Sequence, residues 1–489
     1  MREQMTSTNE LKRNAIGTPG IVFFVVAAAA PLAATLGASP LVFGANGVGG
    51  PGAYLGAMIV LLLFAVGYAT MSRYVTSAGG FAAYISQGLG RSWGFAAAFV
   101  ALLSYNCMLA GIFGQFGAFA HDILLDELGV DLPWQAWIGI GLAAVALLGY
   151  RDVQISARVL GVLLVGEVLI LLLLGVVILG DGGDSGLSLT AFDPGNVFSG
   201  AAGVAIMFAF SCFVGFEATT IYGEEARDPK RTVPRATYIA ILGIGTFYTF
   251  TMWAITTGYG SGNVAKAAQD NPVALVVDLN TRYVGSTSTD IMNLLVITSL
   301  FAVVLAFHNT LSRYLFSLGR AGVLPAALGR TRQADHAPHV ASVVQSGVTA
   351  LIVGGFMIFG ADPFLQLFAW LVGLGTLGVL VLQAFASIAV VLFFRRTRVD
   401  ARPWHTLVAP ALGFAGLVTA IYFVLHNFDV LTGATSGLVT LLPWLIPIAA
   451  VVGFGVAATA RDRAIDLGAS ATDVQPVVDP APEPAAMAT

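Results

Sequence analysis

Two glutamates, Glu167 and Glu217, and one histidine, His308, lie inside long apolar runs of a 489-residue chain. Holding an ionised carboxylate at the centre of a bilayer-spanning helix costs roughly 2.5–3.5 kcal/mol. The one Lys or Arg inside those runs, Arg158, stands at the start of its run, nine residues from Glu167. Each Glu must therefore be protonated, face water, or meet a cation that comes and goes. That is the chemistry of a coupling site rather than of bond making. The competing reading for Glu167 is a protonated acid hydrogen-bonded to a neighbouring helix. For Glu217 it is a carboxyl that closes loop or helix-end amides. An unperturbed histidine suits proton work, although a lone helical His such as His308 also serves as hydrogen-bonded structure. Tyr105 and Thr376 either line a cavity or join helix to helix.

Other chemistry finds no set of residues to carry it. No His, Cys and Asp have metal-ligand spacing, and no Ser/His/Asp arrangement stands out. A membrane enzyme would need clustered nucleophiles, ligands or acid–base pairs at one depth. The Gly-rich stretches 47–52 and 181–184 end apolar runs instead of joining a strand to a helix, so they do not read as phosphate loops. No cofactor is expected, beyond a proton or sodium as coupling ion. A net charge of -4 gives no support to a nucleic-acid partner. Cys107 and Cys212 both fall in apolar runs and read as small buried hydrophobes.

The elements that must position these groups are membrane helices. Hydrophobic residues make up 57% of the chain and charged ones 10%, against about 25% charge in a soluble domain. Apolar runs of crossing length lie near 19–44, 49–71, 94–120, 134–150, 155–180, 197–222, 235–258, 289–312, 340–359, 364–394, 405–426 and 437–458. Of the 23 Lys and Arg, only Lys266 and Arg282 fall on the side opposite the N-terminus when these runs are threaded in turn. The positive-inside rule thus predicts twelve spans with both termini cytoplasmic, since dropping any single span scrambles the alternation. Residues 1–18 read as a cytoplasmic N-terminal segment, 19–458 as the transmembrane domain, and 459–489 as a disordered cytoplasmic tail.

The first and sixth runs share a defect. Ala30-Pro31-Leu32-Ala33 puts a proline among small residues mid-span, and Ser211-Cys212-Phe213-Val214-Gly215 puts a serine and a glycine mid-span. Broken helices five spans apart point to an inverted-repeat carrier with its site at the midplane. Freed N–H groups there would hold a carboxylate, and freed carbonyls an amine or cation. A proline kink and a packing glycine are the plainer alternative to a paired break.

Several stretches resemble one family. Gly215-Phe216-Glu217 followed by E-E-A-R-D-P-K-R-T-V-P-R-A at 224–236, R-Y-L-F-S-L-G-R-A-G-V-L-P at 313–325, and S-A-G-G-F-A-A-Y at 77–84 are similar to the signatures of the amino acid–polyamine–organocation permeases. The likeness covers most of the chain in order. It implies an all-α integral membrane fold of twelve helices: a LeuT-like five-plus-five inverted repeat, about 19–180 and about 197–394, with helices 1 and 6 discontinuous. Two extra helices fill about 405–458. It implies a plasma-membrane permease for amino acids, proton- or cation-coupled, working by alternating access. Polyamine or organic-amine carriage is the alternative, and a non-transporting nutrient sensor or a membrane enzyme the rival class. Partners are then a small-molecule amino acid or amine and membrane lipid, with oligomeric state left open.

By that resemblance the substrate's carboxylate and amine are held by Ala30, Pro31, Leu32 and Ala33 on one side and by Ser211, Cys212, Phe213, Val214 and Gly215 on the other. This chain departs from common members in its Ala-Pro-Leu-Ala break, which is Gly-rich in many. It also has Ser211 six residues before Glu217, where some members carry a gating aromatic; Phe210 and Phe216 are the gate candidates in its place. Glu167 stands where some proton-coupled relatives have a lysine, so the charge is inverted.

Overall fold

The computed structural model describes residues 17–75, 79–151, 157–221, 226–320, 322–332, 337–433 and 437–459. Most of the N-terminal segment, nearly all of the C-terminal tail, and Glu224 and Glu225 of the charged motif lie outside them. Among the described residues nearly everything is helix, the arrangement in which a chain in lipid satisfies its own backbone.

In chain order the helices are α1 (Thr18–Ala29), α2 (Pro31–Asn46), α3 (Gly50–Met71), α4 (Gly80–Leu89), α5 (Arg91–Leu128), α6 (Trp134–Tyr150) and α7 (Ala157–Asp181). A turn of helix α8 (Pro194–Val197) precedes α9 (Ala202–Ser211), α10 (Ala218–Ile221), α11 (Pro229–Tyr259), α12 (Val264–Asp270) and α13 (Leu275–Tyr283). Then come α14 (Ser286–Arg320), α15 (His339–Ile358), α16 (Ala369–Thr397), α17 (Ala409–His426), α18 (Phe428–Thr432) and α19 (Leu445–Thr459). α16 is entered through a π-turn at Pro363–Phe368 and α17 through another at Trp404–Val408.

Among the described residues, nine helical runs are long and apolar enough to cross a membrane. This is fewer than the twelve read from the sequence. Pro31–Met71 counts as one run although a 3-10 turn at Gly47–Gly49 divides it into α2 and α3. α6 has 17 residues, α1 has 12 and α9 has 10, each shorter than a crossing run.

Packing follows the rules of lipid, where van der Waals contact and close backbone approach replace hydrophobic expulsion from water. Gly413 of α17 lies against the backbone of α3, and a methyl group there would sit 2.7 Å from the Phe64 nitrogen. Gly453 brings α19 onto α5 in the same way, with Ala96 Cα at 2.6 Å from such a methyl. The interior is continuous, running from α1 and α2 through α3, α5, α9, α11 and α14 to α16. Apolar side chains such as Leu351, Ile358 and Val451 are exposed on the outer helices, the face offered to acyl chains. Cys107 and Cys212 are both buried and free.

Candidate functional site

The two breaks expected from the sequence are both real, and they differ in form. α1 ends and α2 begins at a single residue, Ala30, whose φ of 43° and ψ of 72° are left-handed. An L-residue with a Cβ pays roughly 1–2 kcal/mol for that conformation. Pro31 then opens α2 at the position where its fixed φ fits and its missing N–H costs nothing. Proline here starts a second helix; it does not kink a continuous one.

Because Pro31 brings no N–H, α2 presents its first amide at Leu32. That amide donates to Glu167 Oε2 at 3.2 Å, across 135 residues of sequence. Glu167 is buried in α7, and Ser299 of α14 lies beside the same carboxyl. The positive end of the α2 dipole and the carboxylate thus meet at the break. Gln115 of α5 donates from Nε2 to the Ala33 carbonyl at 2.7 Å, and the Tyr248 hydroxyl of α11 donates to the Ala29 carbonyl at 3.1 Å.

The second break is a stretch of turns. α9 ends at Ser211, residues 212–217 run through successive i to i+3 hydrogen bonds, and α10 takes over at Ala218. Gly215 holds φ of +111°, which a side chain resists. Glu217 turns back on this loop. Its Oε2 accepts from the Gly215 N–H at 2.9 Å and its Oε1 from the Tyr105 hydroxyl at 2.6 Å. Its placement is therefore that of a carboxyl closing loop amides, with a tyrosine of α5 as second donor.

The breaks adjoin. A methyl group on Gly215 would lie 3.4 Å from Ala28 Cβ, at the end of α1. Cys212 Sγ lies 4.0 Å from the Ala34 carbonyl and 3.4 Å from the Tyr54 hydroxyl. Tyr54 in turn packs against Tyr248, ring centroids 5.9 Å apart, so a tyrosine pair bridges from the first break to the second. Ala30, Pro31, Leu32 and Ala33 are buried, as are Cys212, Phe213 and Val214, with Ser211 and Gly215 partly so. Two surface clefts, of about 230 Å³ near Tyr259 and Arg282 and about 630 Å³ near Leu377 and Trp444, have none of these residues in their walls.

Four further residues singled out by the sequence make no hydrogen bond to either carboxyl. The Thr376 hydroxyl donates to the Val372 carbonyl of its own helix at 2.7 Å. His308 is buried with Nε2 2.9 Å from Ser346 Oγ, joining α14 to α15. Phe216 packs edge-on against Phe64 and Tyr68, at centroid distances of 6.1 and 6.5 Å. Phe210 is buried one residue before the end of α9. Gln115, Tyr248 and Ser299 were not singled out by the sequence. A polar Gln115 in an otherwise apolar run was the available signal, of the same kind that drew notice to Glu167.

Comparison with known proteins agrees with this architecture. A family model described as amino acid permease matches residues 16–456, which takes in both breaks and both glutamates. The branched-chain amino acid permease BcaP of Lactococcus lactis is 26% identical over 435 residues, covering 83% of this chain and 87% of that protein. The L-methionine/branched-chain amino acid exporter YjeH of Escherichia coli is 29% identical over 201 residues, 39% of this chain and 44% of its own. The low-affinity putrescine importer PlaP of the same species is 25% identical over 291 residues, 56% of this chain and 60% of its own. With a family match across nearly the whole chain and two adjoining helix breaks at its centre, the protein belongs to the amino acid permease family, a multi-pass membrane transporter and not an enzyme.

Proposed function

We propose that the protein carries apolar amino acids across the plasma membrane by alternating access, with proton coupling through Glu167. The observation that carries this reading is the contact between the two breaks, Gly215 against Ala28, with a buried carboxyl at each. Peptide groups at broken helices are suited to an ammonium and a carboxylate. The side chains around them, Leu32, Phe213 and Val214, are apolar. Similarity to BcaP and to YjeH, whose names state branched-chain substrates, supports the same side-chain class.

Counting α2 and α3 as two crossings, and adding α6 and the α9–α10 pair, turns the nine runs into twelve. That number supports the five-plus-five arrangement with two added helices, and the distribution of Lys and Arg supports cytoplasmic termini. The line of substrate contact then runs along Ala30–Ala33 and Ser211–Gly215, with Tyr105 held against Glu217 at its edge.

A diamine is the second reading, favoured by two buried acids and by similarity to PlaP. Purified protein in proteoliposomes separates the two. Leucine uptake that rises with an inward proton gradient and is not competed by putrescine supports the first. Putrescine uptake without leucine uptake replaces it with the second.

A further inference from the structure

The amide at the N-terminus of α2 is already taken. Leu32 N–H is the first donor that the Pro31 start leaves to α2, and Glu167 Oε2 sits on it at 3.2 Å. A substrate carboxylate arriving at that helix end would meet another carboxylate there. Two like charges cannot share one donor in a buried site, since each raises the cost of ionising the other. We propose that Glu167 is a built-in competitor for the substrate carboxylate: ionised, it occupies the α2 amide; protonated, it yields the amide to the substrate. This deepens the amino acid reading above and rests on it.

The surroundings suit such an exchange. α7 packs against α1, α2, α11, α13 and α14. The titratable group that faces Glu167 from these is the Tyr248 hydroxyl of α11, whose proton already goes to the Ala29 carbonyl. From α14 the neighbour is Ser299, a neutral hydroxyl able to accept from a protonated carboxyl as well as donate to an ionised one. From α2 the neighbour is the Leu32 amide itself. The balance of the step is one proton taken up by Glu167 for each carboxylate seated. Glu217 is built differently, because its loop donor is only two residues away and a tyrosine closes its other oxygen. It has no helix end to surrender.

The test is leucine binding to the purified full-length protein from pH 5 to pH 8, beside leucinamide, which lacks the carboxylate. Leucine keeps one charge state over that range. Wild type should lose leucine affinity toward high pH, approaching about tenfold per pH unit above the titration of Glu167, as one-proton linkage requires. Glu167→Gln keeps an acceptor for the amide without the charge, and should bind leucine with a flat profile, more tightly than wild type at pH 8. Glu167→Asp should restore the slope, and leucinamide, compared from pH 5 to pH 7 where its amine stays protonated, should lack it. A Glu167→Gln protein that keeps the wild-type slope, or that binds leucine more weakly at every pH, overturns the competitor role while leaving the permease reading intact. Wild type that binds none of the twenty amino acids at any pH removes the reading beneath it, and this inference falls with that reading.

Discussion

The two breaks solve one problem by opposite means. At the second, the donor and the acid that closes it lie two residues apart, Gly215 and Glu217, so the loop is completed from within its own strand of sequence. At the first, the helix end at Leu32 is closed by Glu167, and its flanking carbonyls by Gln115 and Tyr248, all brought in from other helices. A local closure travels with its segment when helices move. A closure borrowed across 135 residues can be withdrawn when α7 and α2 part. The first break is thus the natural place for a step that depends on conformation or protonation, and the second for a fixed shape.

Substitutions at the two breaks can destroy this contrast or sharpen it. The largest effect is expected from Gly215→Val. A β-branched residue at φ of +111° beside Ala28 should cost about 1–3 kcal/mol in backbone strain alone. Leucine uptake should fall at least tenfold, with a lower melting temperature of the purified protein.

Next is the pair Glu217→Gln and Glu167→Gln, compared by uptake at pH 5 to 8. Glu217→Gln exchanges one of the two acceptor oxygens for an NH2 donor, so either the Gly215 N–H or the Tyr105 hydroxyl loses its acceptor, at about 1–3 kcal/mol for a buried donor left unpaired. It should depress the rate at every pH without reshaping the profile. Glu167→Gln should reshape the profile and leave stability closer to wild type. Equal profiles in both variants would erase the distinction drawn here.

A smaller and opposite change is expected from Ala30→Gly. Relief of the left-handed backbone at Ala30 should stabilise the protein by up to about 1 kcal/mol, less what glycine gives the unfolded chain in entropy. A fall in melting temperature would mean that the Ala30 methyl packs for more than its backbone costs.

The smallest effect belongs to a control far from both breaks. Asp184, just beyond α7, accepts two hydrogen bonds from the Arg282 guanidinium of α13, which holds its carboxyl below the ordinary range. A depressed carboxyl adds stability above its unfolded pKa and loses it as pH falls through the folded value, so the contribution should vanish only in acid below about pH 4. Both side chains are partly exposed, so Asp184→Asn should change thermal stability at pH 7 by less than about 1 kcal/mol.

Much of this was readable along the chain because lipid imposes severe rules on composition. Apolar runs, the scatter of Lys and Arg, and the cost of a lone acid in a span are properties of one-dimensional sequence. They fixed attention on Glu167, Glu217, Pro31 and Gly215. Gly215 and Glu217 were close enough for their relation to be guessed from spacing. Thr376 and His308 were not resolvable this way, because a polar side chain in a span satisfies itself on its own helix or on a neighbour with equal ease. The hydroxyl of Thr376 took the first course and the ring of His308 the second.

Sequence alone therefore determined that apolar runs of crossing length would be present, that two of them carry a defect at mid-run, and that two acids would lie among apolar neighbours. These follow from local propensity and from the price of burying charge. Only the tertiary structure decided that Ala30 is the break residue in the first span and that Pro31 begins a helix there. It alone decided that the Leu32 amide meets Glu167, while Tyr105 turns to Glu217. Those pairings depend on which helix faces which, and hydrogen bonds across more than a hundred residues are set by packing that no local pattern encodes.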